Sequence, residues 1–342
     1  MARFKVILAG CGGMANTWMN YLTKREDVEI VGLCDIIIER ASEFVKKFNL
    51  PEKTKIFDDI KNALSACPET NLVVDCTTPD AHELIVTSAM NAGADAIGEK
   101  PMAETRAQAL NEIAVANKTG RSYAVMQNRI YLPGMRTIRK ALSKNLLGRL
   151  GSVSSDFFIG AHFGGFRDLM DNVLILDMAV HTFYQARFII GANPVSVYCH
   201  EFNPAGSWYK GNASAIAIFE FENGVVYDYR GSWCSEGYNT SWECDWRIIG
   251  EKGTLKWDGG ANLSAQIKQN GASGFTIPCD EIKLDMLDIG AHHGHEGCFD
   301  EMFNALIEKR PAETDCHENY FAMNMVYGAI ESAKYGKKVG LV

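Results

Sequence analysis

Lys5-Val6-Ile7-Leu8-Ala9-Gly10-Cys11-Gly12-Gly13-Met14-Ala15 is the stretch that decides the fold. An apolar run of strand formers enters a turn of the form G-x-G-x-x-A, and residues 14–24 then have the spacing of an amphipathic helix. Gly10 permits the tight turn, and Gly12 lets the backbone approach a pyrophosphate. Ala15 allows close helix–strand packing, and the helix N-terminus receives the negative charge. The order strand, glycine turn, helix therefore predicts the first βαβ unit of a dinucleotide-binding fold.

Working outward, strand-like runs at 28–34, 72–76, 94–98 and 122–127 alternate with helical patterns such as 39–48 and 106–119. That alternation predicts a doubly wound parallel sheet, an N-terminal Rossmann domain over 1–122. Beyond residue 150 the texture changes. A helical stretch at 175–190 precedes strand candidates at 195–202, 213–222, 225–232 and 241–249. Asn223-Gly224 predicts a type I′ hairpin, and 251–253 another tight turn. Residues 123–342 are thus expected to form an α+β domain with a large, open, mostly antiparallel sheet flanked by helices. That domain serves substrate binding and oligomerisation. A bridging helix is expected at 133–144, with the terminal helices at 296–309 and 318–334 available to pack back on the first domain.

Among 342 residues, 34 Lys and Arg face 42 Asp and Glu, a net charge of −8. An acidic chain without basic runs is a poor partner for nucleic acid. No apolar run is long enough to span a bilayer, and no secretory signal pattern opens the chain. The ten cysteines are scattered, without a C-x-x-C pair, and are expected to be reduced in a cytoplasmic protein. His292-His293-Gly294-His295-Glu296 lacks the i, i+4 histidine pair of helical zinc sites, so no metal is expected there.

Several residues have types and positions that suggest chemistry. Asp35 ends the second strand, where a carboxylate accepts hydrogen bonds from the adenosine ribose and repels a 2′-phosphate. NAD is therefore favoured over NADP. Lys100, in Glu99-Lys100-Pro101, follows a parallel strand on the ligand-binding side. Asp177 and His181 lie four apart amid apolar residues, so both leave one face of a helix, as a base and the acid that orients it or holds substrate. The loop 160–168 carries His162, Phe166 and Arg167. Each is a substrate-contact candidate, and Arg167 is equally suited to a structural ion pair. Asn128, Arg129 and Tyr131 follow the strand at 122–127, with Asn128 a candidate for cofactor and the other two for substrate. Trp208, Tyr209, Trp233, Trp242 and Trp246 are expected to cover the open sheet at a subunit interface.

Together, the glycine turn at 10–15, Thr77-Thr78-Pro79, Glu99-Lys100-Pro101 and Asp177-Met178-Ala179-Val180-His181 resemble, in order and spacing, the glucose-fructose oxidoreductase, inositol dehydrogenase and rhizopine-catabolism (Gfo/Idh/MocA) family. The resemblance implies an NAD-dependent dehydrogenase moving hydride between the nicotinamide and a secondary alcohol of a sugar, cyclitol or sugar derivative. It implies that Lys100 contacts the reacting hydroxyl, that His181 takes its proton, and that Asp177 holds a neighbouring hydroxyl or orients the histidine. Gly10, Gly12, Gly13, Met14, Ala15, Asp35, Thr77, Thr78, Pro79, His82, Glu99, Lys100 and Asn128 are the cofactor-binding candidates. Two departures stand out. Residues 171–176 replace a frequent glycine-rich stretch, and Ala179 replaces a frequent glycine. Two other readings remain open: glycoside hydrolysis by transient oxidation, and a non-catalytic sugar or cofactor sensor. A homodimer or homotetramer joined through the sheet is expected.

Overall fold

A computed structural model describes residues 3–290 and 292–341. The chain divides into two compact units, Met1–Met126 with Cys298–Tyr320, and Gln127–Gly297 with Phe321–Val342.

In the first unit strands and helices alternate: β1 (Phe4–Ala9), α1 (Ala15–Leu22), β2 (Val28–Cys34), α2 (Ile38–Lys47), β3 (Lys55–Phe57), α3 (Ile60–Ala66), β4 (Leu72–Asp75), α4 (His82–Asn91), β5 (Asp95–Gly98), α5 (Arg106–Thr119) and β6 (Tyr123–Val125). The sheet order is β3-β2-β1-β4-β5-β6, with every pair parallel. This doubly wound order reverses direction between β1 and β4, which places the ligand-binding crevice at their carboxyl ends. The central strands are apolar throughout because helices cover both faces; Val6, Ile7, Leu8, Val73 and Val74 are fully buried. The segment 298–320 adds to this core. Phe299 meets Trp18 edge-on at 4.7 Å and stacks on Tyr21 at 4.6 Å, and Phe303 meets Phe4 at 5.0 Å. Helix α5 starts with a capping box, in which Thr105 and Gln108 each accept from the other's backbone N–H, a device that contributes about 1 kcal/mol. Its inner face carries an anomaly. Glu112 is wholly buried, and neither carboxylate oxygen has a hydrogen-bond partner among the described residues. Burial, and then the nearby Asp75 and Glu83, push its carboxyl up to about 9.

The second unit contains α6 (Pro133–Ser143), β7 (Leu150–Phe158), a π-helical turn (Leu174–Ala179), α7 (Val180–Ile190), β8 (Pro194–Phe202), β9 (Ser214–Phe221), β10 (Val226–Ser232), β11 (Asp245–Gly250), β12 (Gly253–Trp257), β13 (Leu263–Lys268) and β14 (Cys279–Lys283). Helix α8 (His295–Glu308) and helix α9 (Cys316–Tyr335) follow, and β15 (Val339–Gly340) ends the chain. Nine strands form one sheet in the order β14-β13-β12-β11-β7-β10-β9-β8-β15. Pairing is antiparallel except between β7 and β10, which run parallel because the chain leaves β7 and returns only after α7, β8 and β9. Strict alternation along β8 to β11 sends Val197, Ala217, Phe219, Tyr227, Tyr229 and Ile248 inward. On the opposite face Tyr198, Ile216 and Ile218 are exposed beside Arg230 and Arg247.

Three details differ from expectation. The Asn223-Gly224 turn is not type I′, since only Gly224 has positive φ, at 82°. Gly224 N–H donates to Phe221 O and Phe221 N–H to Val225 O, the pattern of a type I turn closed by a glycine bulge. The stretch 175–190 is not one regular α-helix, because its first part is π-helical. The indole-rich segment is largely core rather than interface: Tyr209, Trp233 and Trp246 are buried within the unit, Trp208 is half-buried, and of the five only Trp242 is exposed. No helix among the described residues is long and apolar enough to cross a membrane.

Candidate functional site

Because the strands of the first unit are parallel, the loops after β1, β2, β4 and β5 all emerge at one edge. Gly10 sits there at φ 83°, and a Cβ on it would lie 2.6 Å from the carbonyl carbon of Cys76. The glycine thus lets the β1 loop seat against the β4 loop. Gly12 and Gly13 differ, because a Cβ on either would meet nothing within 4 Å. Nothing in the protein itself requires glycine at these two positions. Open space there is what a closely approaching diphosphate needs. Met14 caps α1 without a side-chain hydrogen bond, and Ala15 is buried. Asp35 accepts from Cys11 N–H at 2.7 Å through one oxygen and from Ile37 N–H at 2.8 Å through the other. Those bonds fix the carboxylate beside the glycine loop, and each oxygen keeps acceptor capacity for a ribose hydroxyl. These residues fit a dinucleotide.

The loops after β4 and β5 hold a buried polar network. Asp75 accepts from Thr77 N–H at 2.9 Å and Thr77 Oγ1 at 2.6 Å, while its other oxygen pairs with His82 Nδ1 at 2.8 Å. Burial works against a charged His82, but Asp75 outweighs it and holds the imidazole above its ordinary pKa. Glu99 accepts from Trp18 Nε1 at 2.8 Å and from Lys100 N–H at 3.1 Å. Burial raises its pKa, and the Lys100 charge opposes the rise. Thr78 and Pro79 lie in the same β4–α4 loop, and Lys100 precedes Pro101 through a cis peptide bond. Asp75 and Trp18 are absent from the sequence candidates. The Asp75 signal was available, since like Asp35 it is a carboxylate at a strand's carboxyl end.

In the second unit, Asp177 lies in the π-helical turn and His181 in the first turn of α7, 8% and 7% exposed. Four residues are close to one turn in either helix, so the two side chains leave on the same side. Arg167 joins them from the preceding loop, its Nε 2.6 Å from one Asp177 oxygen and its Nη2 3.5 Å from the other. Its guanidinium carbon lies 5.1 Å from the Phe163 ring centroid and 4.7 Å from that of Phe166. In the same loop His162 stacks on Trp208 at 3.6 Å and bonds Glu236 at 2.8 Å. Phe163, Phe166 and Leu169 are exposed, an unusual concentration of apolar surface on a short loop.

Arg129 is engaged by protein groups. It reaches the Trp242 carbonyl, Met178 Sδ at 3.5 Å and Glu243 Oε1 at 3.5 Å. Gln185 of α7 donates to the other Glu243 oxygen at 2.9 Å. Burial raises the Glu243 pKa, with Arg129 opposing. Tyr131 is buried against Arg136, whose guanidinium lies 4.3 Å from its ring centroid. Asn128 Nδ2 lies 3.4 Å from His295 Nδ1, and His292 faces Glu296 at 3.8 Å. The role of Glu243 as a clamp on both Arg129 and α7 has no local sequence signal, because its partners lie more than fifty residues away.

Residues 4–127 match an oxidoreductase family with an NAD-binding Rossmann fold, and residues 135–256 match the GFO/IDH/MocA C-terminal domain. The uncharacterized protein y4oX of Sinorhizobium fredii is 25% identical over 98% of this chain and 95% of its own length. The D-apiose dehydrogenase of Paraburkholderia graminis is 27% identical over 66% of this chain and 59% of its own. An oxidoreductase from Agrobacterium radiobacter, crystallised with NAD+, L-tartaric acid and magnesium, superposes with a TM-score of 0.84 at 20% identity, covering 99% of each chain. At that identity the structural likeness establishes the fold alone. Two family domains in the expected order, on a parallel Rossmann sheet and a nine-stranded second sheet, show that this chain belongs to the Gfo/Idh/MocA family of NAD-binding oxidoreductases.

Proposed function

We propose that this dehydrogenase oxidises a secondary alcohol of a sugar, cyclitol or sugar derivative, or reduces the corresponding ketone. The observation that carries this reading is Asp177 and His181, buried four residues apart on one side of a helix. The bound nicotinamide supplies hydride transfer. His181 accepts the hydroxyl proton as the carbon is oxidised, because a neutral carbinol that lost hydride alone would leave a protonated ketone. Lys100 offers positive charge where the alkoxide develops. Asp177 accepts hydrogen bonds from a neighbouring hydroxyl and sets the ring's orientation. Glu99, tied to Trp18 and to the Lys100 backbone, steadies the Lys100 loop. Relatives named as dehydrogenases of apiose, xylose and glucosides support oxidation over the hydrolytic alternative. Absence of a membrane-crossing helix among the described residues is consistent with a cytoplasmic setting.

An NADH-fluorescence screen over free sugars, cyclitols, sugar acids and amino sugars tests the reading. It expects turnover confined to polyols with adjacent hydroxyls, and no turnover across the whole panel would overturn it. We further infer a homodimer or homotetramer through the outer sheet face, supported by Tyr198, Ile216 and Ile218 exposed together there. Light scattering at micromolar concentration checks it, and a stable monomer contradicts it.

A further inference from the structure

Arg167 is a cation with two suitors. A guanidinium in a loop beside a proposed sugar site is well shaped to grip a substrate carboxylate. In the structure it is committed elsewhere. Its Nε and Nη2 both face Asp177, at 2.6 Å and 3.5 Å. The Asp177 side chain is 9% exposed and that of Arg167 30%. An ion pair this sheltered is screened less than a surface pair. Phe163 and Phe166 sit beside the guanidinium within cation–π range. The aromatic pair fixes the arginine, and the arginine fixes one rotamer of the aspartate. The charges of the pair cancel, so the pair itself offers little net attraction to an anionic substrate group.

We propose that Arg167 is a positioning residue for Asp177 and not a ligand for a charged substrate, so that the site is made for neutral polyols. This rests on the assignment of Asp177 to the substrate site. Arg167 presents Asp177 as a preoriented acceptor for a substrate hydroxyl, and the aromatic loop 163–166 determines how firmly it is held.

The test is a double-mutant cycle on the best neutral polyol from the panel, using Arg167→Met, Arg167→Lys, Asp177→Asn and the Arg167→Met/Asp177→Asn double variant. NAD+ titration of each variant reports whether it is folded. Arg167→Met is expected to raise KM about tenfold with a smaller change in kcat, and Arg167→Lys to recover part of the loss. In the Asp177→Asn background, Arg167→Met is expected to add little, because a group acting through Asp177 has nothing left to position. Losses that multiply in the double variant would overturn the proposal, as would an Arg167→Met defect confined to sugar acids. If Asp177→Asn keeps full kcat/KM, the assignment of Asp177 itself fails and the proposal falls with it. Should Arg167→Met not bind NAD+, the same cycle run with Arg167→Lys decides.

Discussion

At the carboxyl edge of the parallel sheet, each loop carboxylate accepts from at least one main-chain N–H, beside side-chain partners from Thr77, His82 and Trp18. Cys11 and Ile37 N–H groups hold Asp35, Thr77 N–H helps hold Asp75, and Lys100 N–H reaches Glu99. In the segment 160–181 main-chain bonds such as Lys210 N–H to Asp168 O anchor the loop, but the polar side chains are held by other side chains: Arg167 with Asp177, His162 with Trp208 and Glu236, and Asn172 with Glu201. On the proposed roles, the difference follows from the ligand each region serves. A dinucleotide presents a constant phosphate and ribose, which backbone donors and one carboxylate recognise whatever the neighbouring side chains are. A polyol differs from its epimers by the position of a hydroxyl, which only placed side chains can distinguish. The first region should therefore respond chiefly to changes in backbone space, and the second to changes in side-chain identity.

The largest expected effect lies with the reacting groups. His181→Ala and Lys100→Ala should each lower kcat by about a hundredfold or more, with NAD+ affinity little changed for His181→Ala. Stopped-flow turnover and NAD+ titration check this, and a His181→Ala enzyme that keeps most of its kcat removes the proposed base.

Next comes a pair of glycines two positions apart, Gly10 and Gly12. Gly12→Ala meets no protein atom within 4 Å, so melting should be unchanged while NAD+ affinity falls by about tenfold or more. Gly10→Ala places its Cβ 2.6 Å from Cys76 at φ 83°, so stability itself should drop by about 2–4 kcal/mol. Equal melting temperatures for the two variants would erase the distinction between a glycine kept for the ligand and one kept for the fold. Asp35→Ala should be milder still, narrowing the preference for NAD+ over NADP+ by about tenfold, as read from the two kcat/KM values.

The smallest effect belongs to a carboxyl serving neither region. Unfolded, Glu112 ionises near its ordinary value of 4.5, and folded it stays protonated up to about 9. The native state therefore holds a proton that the unfolded state has released. Its contribution to stability is fullest below the lower value and declines as pH rises toward the upper one. Glu112→Leu should raise the melting temperature at pH 8 by about 2–5 °C and flatten its pH dependence. A melting curve as steep in pH as the wild type would show that Glu112 is hydrated or paired.

How much of this was legible in the sequence varies with the same distinction. Strands β1, β2, β4 and β5, and the placing of Asp35 and Lys100 at their ends, follow from apolar runs buried on both faces. Strand β7 escaped notice because Leu150-Gly151-Ser152-Val153-Ser154-Ser155 alternates with small polar residues of weak strand preference. Strand β14 is an exposed edge with no apolar face to betray it. Arg167 could be named as a functional cation, but its choice of Asp177 over a substrate acid depends on how a loop with glycines at 164 and 165 folds back. No local pattern encodes that. The π-helical turn is hidden for another reason: Leu174-Ile175-Leu176 is apolar all round, so its period cannot be read.

That turn sets how tightly the loop before it is coupled to α7. A π turn closes each hydrogen bond over one residue more than an α turn, and such turns are frequent at functional sites. Removing one residue there restores regular bonding and shifts the incoming loop by a single position, while α7 and His181 keep their place. The loop that carries Arg167 can therefore take up a small insertion or deletion without moving His181, the proposed proton acceptor.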